Sequence, residues 1–419
     1  MSRKNPYLLP FILVTCLFFL WGFAHNLDPI LIPHLKRSFT LTTTQSTLID
    51  SAVFIAYFLM ALPAGFIMRR FGYQWGIILG LLLFAAGCFL FLPAADLQSY
   101  SYFLIALFVI ACGLTILETA ANPYASALGD PATATVRLNF AQSFNGLAAA
   151  LAPVIGARLI LTEKFNESDL LAMDEGARKL ALASEAASVK GPYLTLGILL
   201  LVVAFLFSII KLPKLNVQAT VGSKRKIWHA FQHKHLTMAV VAQFFYVGAQ
   251  VSVFSLFILY AEKSAGMEQV RAADYLGICG LAFLIGRFLG TFLMRYFAPE
   301  RLLALYAAMN MALSLIAIFG SGIITVYAVI AICFFMSIMF PTIFSLGIRD
   351  LNEDTEFGSS LLIMSIVGGA ILPRFFGLLS DWSGNIQVGF LVPLVCYAVV
   401  LFFGLTGYKV LTNPKSNQL

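Results

Sequence analysis

The residues with the types and spacing to do chemistry sit where charge is most costly. Glu118 lies in Leu117-Glu118-Thr119-Ala120-Ala121-Asn122-Pro123, inside an apolar segment from about Phe103 to Leu128. A carboxylate in the middle of a membrane span costs about 3 kcal/mol on insertion scales, and such a group usually faces a partner or a water-filled cavity. Asn122 adds an amide one turn along the same face, and Pro123 removes a backbone donor beyond it. The competing reading makes Glu118 a buried hydrogen bonder between helices. Asn139, Gln142 and Asn145 follow at i, i+3 and i+6, so three amides share one helix face. Amides both donate and accept, which suits sugar hydroxyls, and Gln243 and Gln250 add two more in a later segment. Trp21, Phe144, Tyr246 and Tyr260 offer ring faces for a pyranose, although a lone aromatic here more often packs into core or lipid. His25, Asn26 and Asp28 end the first apolar segment with Pro29 and Pro33, and Asp50 opens the second. Asp28 and Asp50, if they converge, make a hard oxygen site of the kind Na+ prefers. The partner of Glu118 is expected to be one of these two acids.

The elements that must position these groups are membrane helices. The 419 residues are 60% hydrophobic and only 11% charged, with a mean hydropathy of +0.88. About 20 apolar residues span a bilayer as a helix. Such stretches fall at about 7–33, 46–68, 75–95, 101–128, 137–161, 192–212, 236–261, 272–296, 302–320, 324–347, 357–380 and 387–410. They predict an all-α membrane protein with twelve transmembrane helices. Runs such as Leu196–Ile210 do not alternate in polarity, which argues against a β-barrel. No cleavable signal peptide is expected, because the run after Arg3 and Lys4 is too long for an h-region. The six cysteines (16, 88, 112, 279, 333, 396) all lie in apolar segments, as packing residues do. With the N-terminus inside, 16 lysines and arginines fall on the cytoplasmic side and 9 outside, with Arg287 and Arg374 within spans. Both termini are therefore expected in the cytoplasm. The pI near 9.1 then reflects topology, and no nucleic-acid partner is needed to explain it.

A polar stretch divides the spans six and six, predicting bundles at 1–212 and 236–419 joined by a cytoplasmic linker at 213–235. His229, His233 and His235 in and beside that stretch read as a basic juxtamembrane face. The two bundles are pseudo-symmetric. Phe66-Ile67-Met68-Arg69-Arg70-Phe71 matches Phe292-Leu293-Met294-Arg295-Tyr296-Phe297, and Asn122-Pro123 matches Phe340-Pro341. A repeated six-helix half is the mark of a secondary transporter with its site between the repeats. The repeat also sets Met336 where the first half has Glu118, and predicts a shared hinge at the two prolines. Gly76–Gly80 and Gly286–Gly290 are small-residue pairs that let helices approach closely. Leu161 to Lys190 reads as a short extracellular amphipathic helix or a solvated loop.

Several motifs carry a resemblance. Gly65, Arg70 and Gly72 resemble the signature loop of the major facilitator superfamily, with Met68 where that pattern has Asp. Residues 117–123, Arg-Leu-Asn-Phe-Ala-Gln-Ser-Phe-Asn (137–145), Tyr-Val-Gly-Ala-Gln (246–250), Pro-Thr-Ile-Phe-Ser-Leu-Gly-Ile (341–348) and Ser380-Asp381 resemble the fucose/galactose/glucose cation symporters of that superfamily. The resemblance runs through nearly the whole chain. It implies the major facilitator fold, alternating access, and symport of a hexose with a cation. It also implies sugar recognition and proton coupling at Glu118, sugar binding at Asn145, and a proton-taking acid in span one. There the family reads Asn-Asp where this chain has Asp28-Pro29, so the acid is moved by one residue, about 100° around a helix. Asp50 stands for a family glutamine and Arg374 for a proline; Arg374 raises an acidic sugar or an internal counter-ion as alternatives.

The expectation is a cation-coupled monosaccharide importer (H+ or Na+) of the bacterial inner membrane, monomeric and without a cofactor. The substrate-binding set is Glu118, Asn122, Asn139, Gln142, Asn145, Gln250, Tyr246, Trp21 and Asn26; the coupling set is Glu118, Asp28 and Asp50. An acidic- or amino-sugar transporter and a non-transporting sugar receptor are the alternatives. An intramembrane enzyme lacks H-E-x-x-H or G-x-S-x-G, and an ATP-driven pump lacks G-x-x-x-x-G-K-[ST].

Overall fold

The computed structural model describes residues 7–27, 43–160, 173–210, 212–213 and 227–410, together with Leu35 and Phe39; at 43–51 and a few other positions it describes the backbone alone. Among the described residues every regular element is helical. Lipid offers backbone groups no hydrogen-bond partner, so an apolar chain of this kind satisfies them within each segment. The helices are α1 (Leu8–His25), α2 (Thr43–Phe71), α3 (Tyr73–Asp96), α4 (Tyr100–Ala127), α5 (Ala134–Ile160), α6 (Glu175–Ala187), α7 (Lys190–Ile209) and α8 (Lys234–Ser255). They continue with α9 (Phe257–Ala265), α10 (Gln269–Leu293), α11 (Pro299–Phe319), α12 (Ile323–Met336), α13 (Met339–Gly347), α14 (Thr355–Met364), α15 (Gly368–Ser383) and α16 (Leu391–Phe402). Among the described residues eleven segments are long and apolar enough to cross a membrane, and α5 adds a helix of 27 residues where a further span is expected.

Local chemistry sets the ends. Gly72, at φ 85°, is the single residue between α2 and α3, a backbone state that glycine adopts without a Cβ penalty. Asp130 caps the turn before α5 by accepting from Ala132 N at 2.9 Å, and Pro299 stands at the first position of α11.

Four spans differ from expectation. The first helix ends at His25, well before residue 33, and gives way to a turn at 26–27. The seventh span breaks at Leu256 between α8 and α9. The tenth divides into α12 and α13, and the eleventh into α14 and α15 around a 3-10 turn at Ser365–Val367. The hinge expected at both prolines appears in one repeat only: α4 runs unbroken through Pro123, whereas the helix ahead of Pro341 opens at residues 337–338. Between spans five and six the helical alternative holds, as α6.

The chain divides into two compact units: Met1–Thr15, Asn122–Gly146 and Lys214–Leu419 form one, and Cys16–Ala121 and Leu147–Pro213 the other. Within the second, α3 packs on α7. There Phe91 stacks on Tyr193 at 3.8 Å, and Gln74 Nε2 closes the end of α7 by donating to the carbonyls of Phe207 (2.7 Å) and Ile210 (3.0 Å). Met68, at the signature-loop position of the missing Asp, is buried, and its Cγ lies 3.0 Å from where a Cβ on Gly76 would stand. Within the first unit α8 is central, packed on α13, α15 and α16, while α10 packs on α12.

The small-residue pairs do what their spacing predicts. A Cβ on Gly80 would lie 2.9 Å from Leu117 Cγ, one on Gly286 2.3 Å from the Phe334 carbonyl oxygen, and one on Gly290 2.4 Å from Ile338 Cγ2. Gly286→Val should therefore lower the thermal midpoint of the detergent-solubilised protein by the equivalent of about 1–3 kcal/mol or more, the usual cost of overpacking. Gly277→Ala, where a Cβ meets nothing within 4 Å, should leave it unchanged. Equal midpoints for the two variants would show that α10 does not need its close approach to α12.

Candidate functional site

Glu118 sits within α4, half-buried, and its Oε1 accepts a hydrogen bond from Tyr57 Oη on α2 at 2.8 Å. A phenol is an economical partner here, because it satisfies a carboxylate oxygen without adding a second charge to an apolar region. Tyr57 is a partner that the expectation of Asp28 or Asp50 does not include. A signal was present: Tyr57 lies seven residues after Asp50, two turns along one face of α2. Asp28 and the side chain of Asp50 lie outside the described residues. In the second repeat Met336 takes the place of Glu118 and also receives a tyrosine hydroxyl, Tyr397 Oη to Sδ at 3.7 Å.

One turn past Glu118, Asn122 is fully buried and its Oδ1 accepts from Gln142 Nε2 at 2.9 Å. Asn139 is fully buried too, donating through Nδ2 to the Thr135 carbonyl (3.0 Å) and to Thr342 Oγ1 (3.1 Å), while its Oδ1 has no partner. Thr135 Oγ1 and Ser345 Oγ are 2.9 Å apart. The amide stripe on α5 is thus real, but its first two members are engaged by protein. Asn145 and Gln250 are half-buried amides that make no side-chain hydrogen bond among the described residues, which leaves their donors and acceptors available to a ligand. Gln243 is fully buried with both amide atoms unpartnered.

The aromatic and span-one positions fall into place differently. Trp21 is buried with its ring 4.2 Å from that of Phe18. Tyr246 is fully buried, 6.5 Å from the Phe340 ring. Tyr260 donates to the Ala317 carbonyl at 2.7 Å and packs on Phe390 at 4.6 Å. Asn26 folds back on α1, donating to the Gly22 carbonyl at 2.6 Å.

Arg374 is exposed and has no ion pair among the described residues, so it is no buried counter-ion. The buried cation is Arg287 on α10, at 4% exposure. Its Nε donates to the Ser337 carbonyl at 2.8 Å and its Nη1 to the Gln142 carbonyl at 2.9 Å, and its guanidinium lies 4.5 Å from the centre of the Phe283 ring. At the other end of α5, Arg137 ties the preceding turn together through the carbonyls of Asp130 and Ser126. His233 Nε2 meets Asp354 Oδ2 at 3.1 Å and His235 Nε2 meets the Arg349 carbonyl at 2.9 Å. Among the described residues no group of three potential ligands has metal-binding geometry.

A carboxylate in an apolar span and a stripe of amides are groups suited to holding polar solutes and protons. The family model of the Major Facilitator Superfamily matches residues 11–354. The L-fucose-proton symporter of Escherichia coli (strain K12) is 42% identical over 98% of this chain and 96% of its own. The glucose/galactose transporter of Brucella abortus (strain 2308) is 42% identical over 97% and 96%. A crystal structure of the transporter FucP in the outward conformation superposes with a TM-score of 0.90 at 42% identity, covering 96% of this chain and 99% of that one. The chain belongs to the major facilitator superfamily. It is a multi-pass membrane transporter and not an enzyme.

The Asn122–Gln142 pair gives a direct check. Asn122→Ala should destabilise the protein by about 1–3 kcal/mol, since it strands a buried amide. Asn122→Leu with Gln142→Leu should cost less than the two single changes summed, measured as unfolding free energies in a double-mutant cycle. Strict additivity would mean that the pair is not coupled.

Proposed function

We propose that this chain imports a neutral hexose or 6-deoxyhexose across the bacterial inner membrane together with a proton. The observation that carries the reading is Glu118, an acid in an apolar span that accepts a hydrogen bond from a neutral tyrosine. Relatives named as an L-fucose-proton symporter and as glucose/galactose transporters support both the substrate class and the ion. The lysine and arginine bias supports cytoplasmic termini, and with them a cytoplasmic start for α5. The working body is a monomer whose halves, 1–212 and 236–419 with a linker at 213–235, give alternating access without any cofactor.

Asn145 and Gln250 take sugar hydroxyls, because their amides are free. Asn122, Asn139 and Gln142 hold α5 and the Glu118 turn in register, and contribute to the sugar site when their present bonds open. Tyr246 bounds the site, while Trp21 and Asn26 shape span one from behind. Glu118 couples sugar to ion: ionised, it resists closing of a dry interior; protonated, it permits the change of access. Arg374, the residue that favoured an acidic sugar, is exposed, so the neutral class is preferred. A sodium site at Asp28 and Asp50 rests on sequence alone.

Proteoliposome transport tests the reading. Wild type should accumulate hexose against its gradient without Na+, with external alkalinisation as sugar enters. Glu118→Gln should keep sugar counterflow within a few-fold while losing accumulation. Strict dependence on Na+ at fixed pH would replace the proton by sodium, and accumulation by Glu118→Gln would remove Glu118 from coupling. Hexuronate counterflow in preference to hexoses would overturn the neutral class, and saturable sugar binding with no flux would make the protein a receptor.

A further inference from the structure

Coupling at Glu118 leaves the buried arginine of α10 unused. Arg287 lies on α10 within an apolar span, and among the described residues it faces no carboxylate within ion-pair distance. Its two hydrogen-bond partners are both backbone carbonyls, and each has a specific reason to be there. Pro341 lacks the N–H that would bond four residues back, so it leaves the Ser337 carbonyl open at the break between α12 and α13. Arg287 Nε fills that vacancy at 2.8 Å. The second carbonyl, that of Gln142 on α5, comes from the first half of the sequence and accepts from Nη1 at 2.9 Å. Gly146, one turn later on α5, lies beside the guanidinium: a Cβ there would stand at contact distance, 3.8 Å from Nη1 and 3.4 Å from Leu284 Cδ1, so a larger, branched side chain would crowd it.

Two uncharged contacts accompany this one along α5. Thr135 meets Ser345, Asn139 meets Thr342, and Gln142 meets Arg287. Every one joins residues 122–146 to residues of the second half, within one compact unit. The three are stacked turn by turn from the start of α5, which the charge bias places at the cytoplasm. Only the third carries a formal charge, and its one side chain covers the open carbonyl of the broken span as well as the carbonyl across the seam.

We propose that Arg287 is a positioning residue for transport: it latches the cytoplasmic ends of the two halves together while holding the broken tenth span in shape. On release the guanidinium keeps Ser337, which belongs to its own half, and gives up Gln142. The latch thereby biases the transporter toward the state open to the outside. The proposal rests on the transporter reading, but its structural core is independent of which sugar is carried.

The latch is read by alkylation of a cysteine at position 345, followed by peptide mass spectrometry on purified protein in nanodiscs without sugar. A charged hydrogen bond shifts an equilibrium by roughly ten- to a hundredfold. S345C/R287Q should therefore label at least about tenfold faster than S345C, with S345C/R287K between them, because an ammonium keeps the charge but has all its donors on one atom, without the fork by which Nε and Nη1 reach two carbonyls separately. In transport, R287Q should raise the KM for external sugar, by about twofold to tenfold across that range, in proportion to the lost outward population, and leave the KM for internal sugar unchanged or lower. If R287Q does not fold, Gly146→Val displaces Nη1 from Gln142 while keeping the arginine, and should label as fast. Equal labelling of S345C and its folded Arg287 or Gly146 variants overturns the latch. So does a KM that rises equally on both faces, which a merely structural defect would give. Absent sugar flux in wild type with the labelling difference intact would instead defeat the transport reading alone.

Discussion

Lipid supplies no hydrogen bonds, so every interruption of a helix within it must be covered by another part of the chain. The tenth span obeys that constraint in a particular way. Pro341 opens one carbonyl, at Ser337, and the group that covers it is a guanidinium from α10. An arginine in an apolar span costs about 3 kcal/mol on insertion scales, yet here it replaces an orphaned carbonyl whose own desolvation costs about 1–3 kcal/mol. It gains a second charged hydrogen bond and contact with the Phe283 ring besides. The close approach that makes this possible comes from Gly286 and Gly290 on the same helix. Proline, glycines and arginine are thus one device, spread over two helices.

The two repeats spend their buried charge differently. The first has Glu118, quietened by a tyrosine hydroxyl, in a helix that passes its proline without breaking. The second has Met336 in the matching place, and carries its charge on Arg287 instead. An acid that gains and loses a proton serves coupling, because its neutral form lowers the cost of an apolar surrounding. A guanidinium stays charged, so it serves geometry. On the proposed function, pseudo-symmetry in sequence therefore gives one proton site and one strut.

Features set by local spacing were legible from the residues. The helices follow from apolar runs, the close approaches from glycines four apart, and the amide face of α5 from positions 139, 142 and 145. What depends on a distant partner was not. Pro123 and Pro341 look alike in sequence, but only the second break has an arginine to cover its carbonyl. Tyr57 lies 61 residues from Glu118, and its spacing from Asp50 marks a shared face of α2 without saying which distant residue it meets. Trp21 suited a sugar by type, and packs on Phe18 because type alone does not fix which way a helix faces. Arg374 and Arg287 were equally visible as charges in spans; burial, which separates them, is a property of the packing.

The absence of an acid partner at Arg287 among the described residues has its own logic. Breaking a buried ion pair leaves two uncompensated charges and costs about 3–5 kcal/mol, a barrier that a cycling protein would meet on every turn. A guanidinium bound to carbonyls leaves less behind. Once Nη1 lets go, the Gln142 carbonyl retains its place in α5 and Nε retains Ser337, so the charge is never bare. The cost of opening is then that of one charged hydrogen bond, about 1.5–3 kcal/mol. That is enough to favour one state about tenfold or more, and small enough for bound sugar and a proton to reverse.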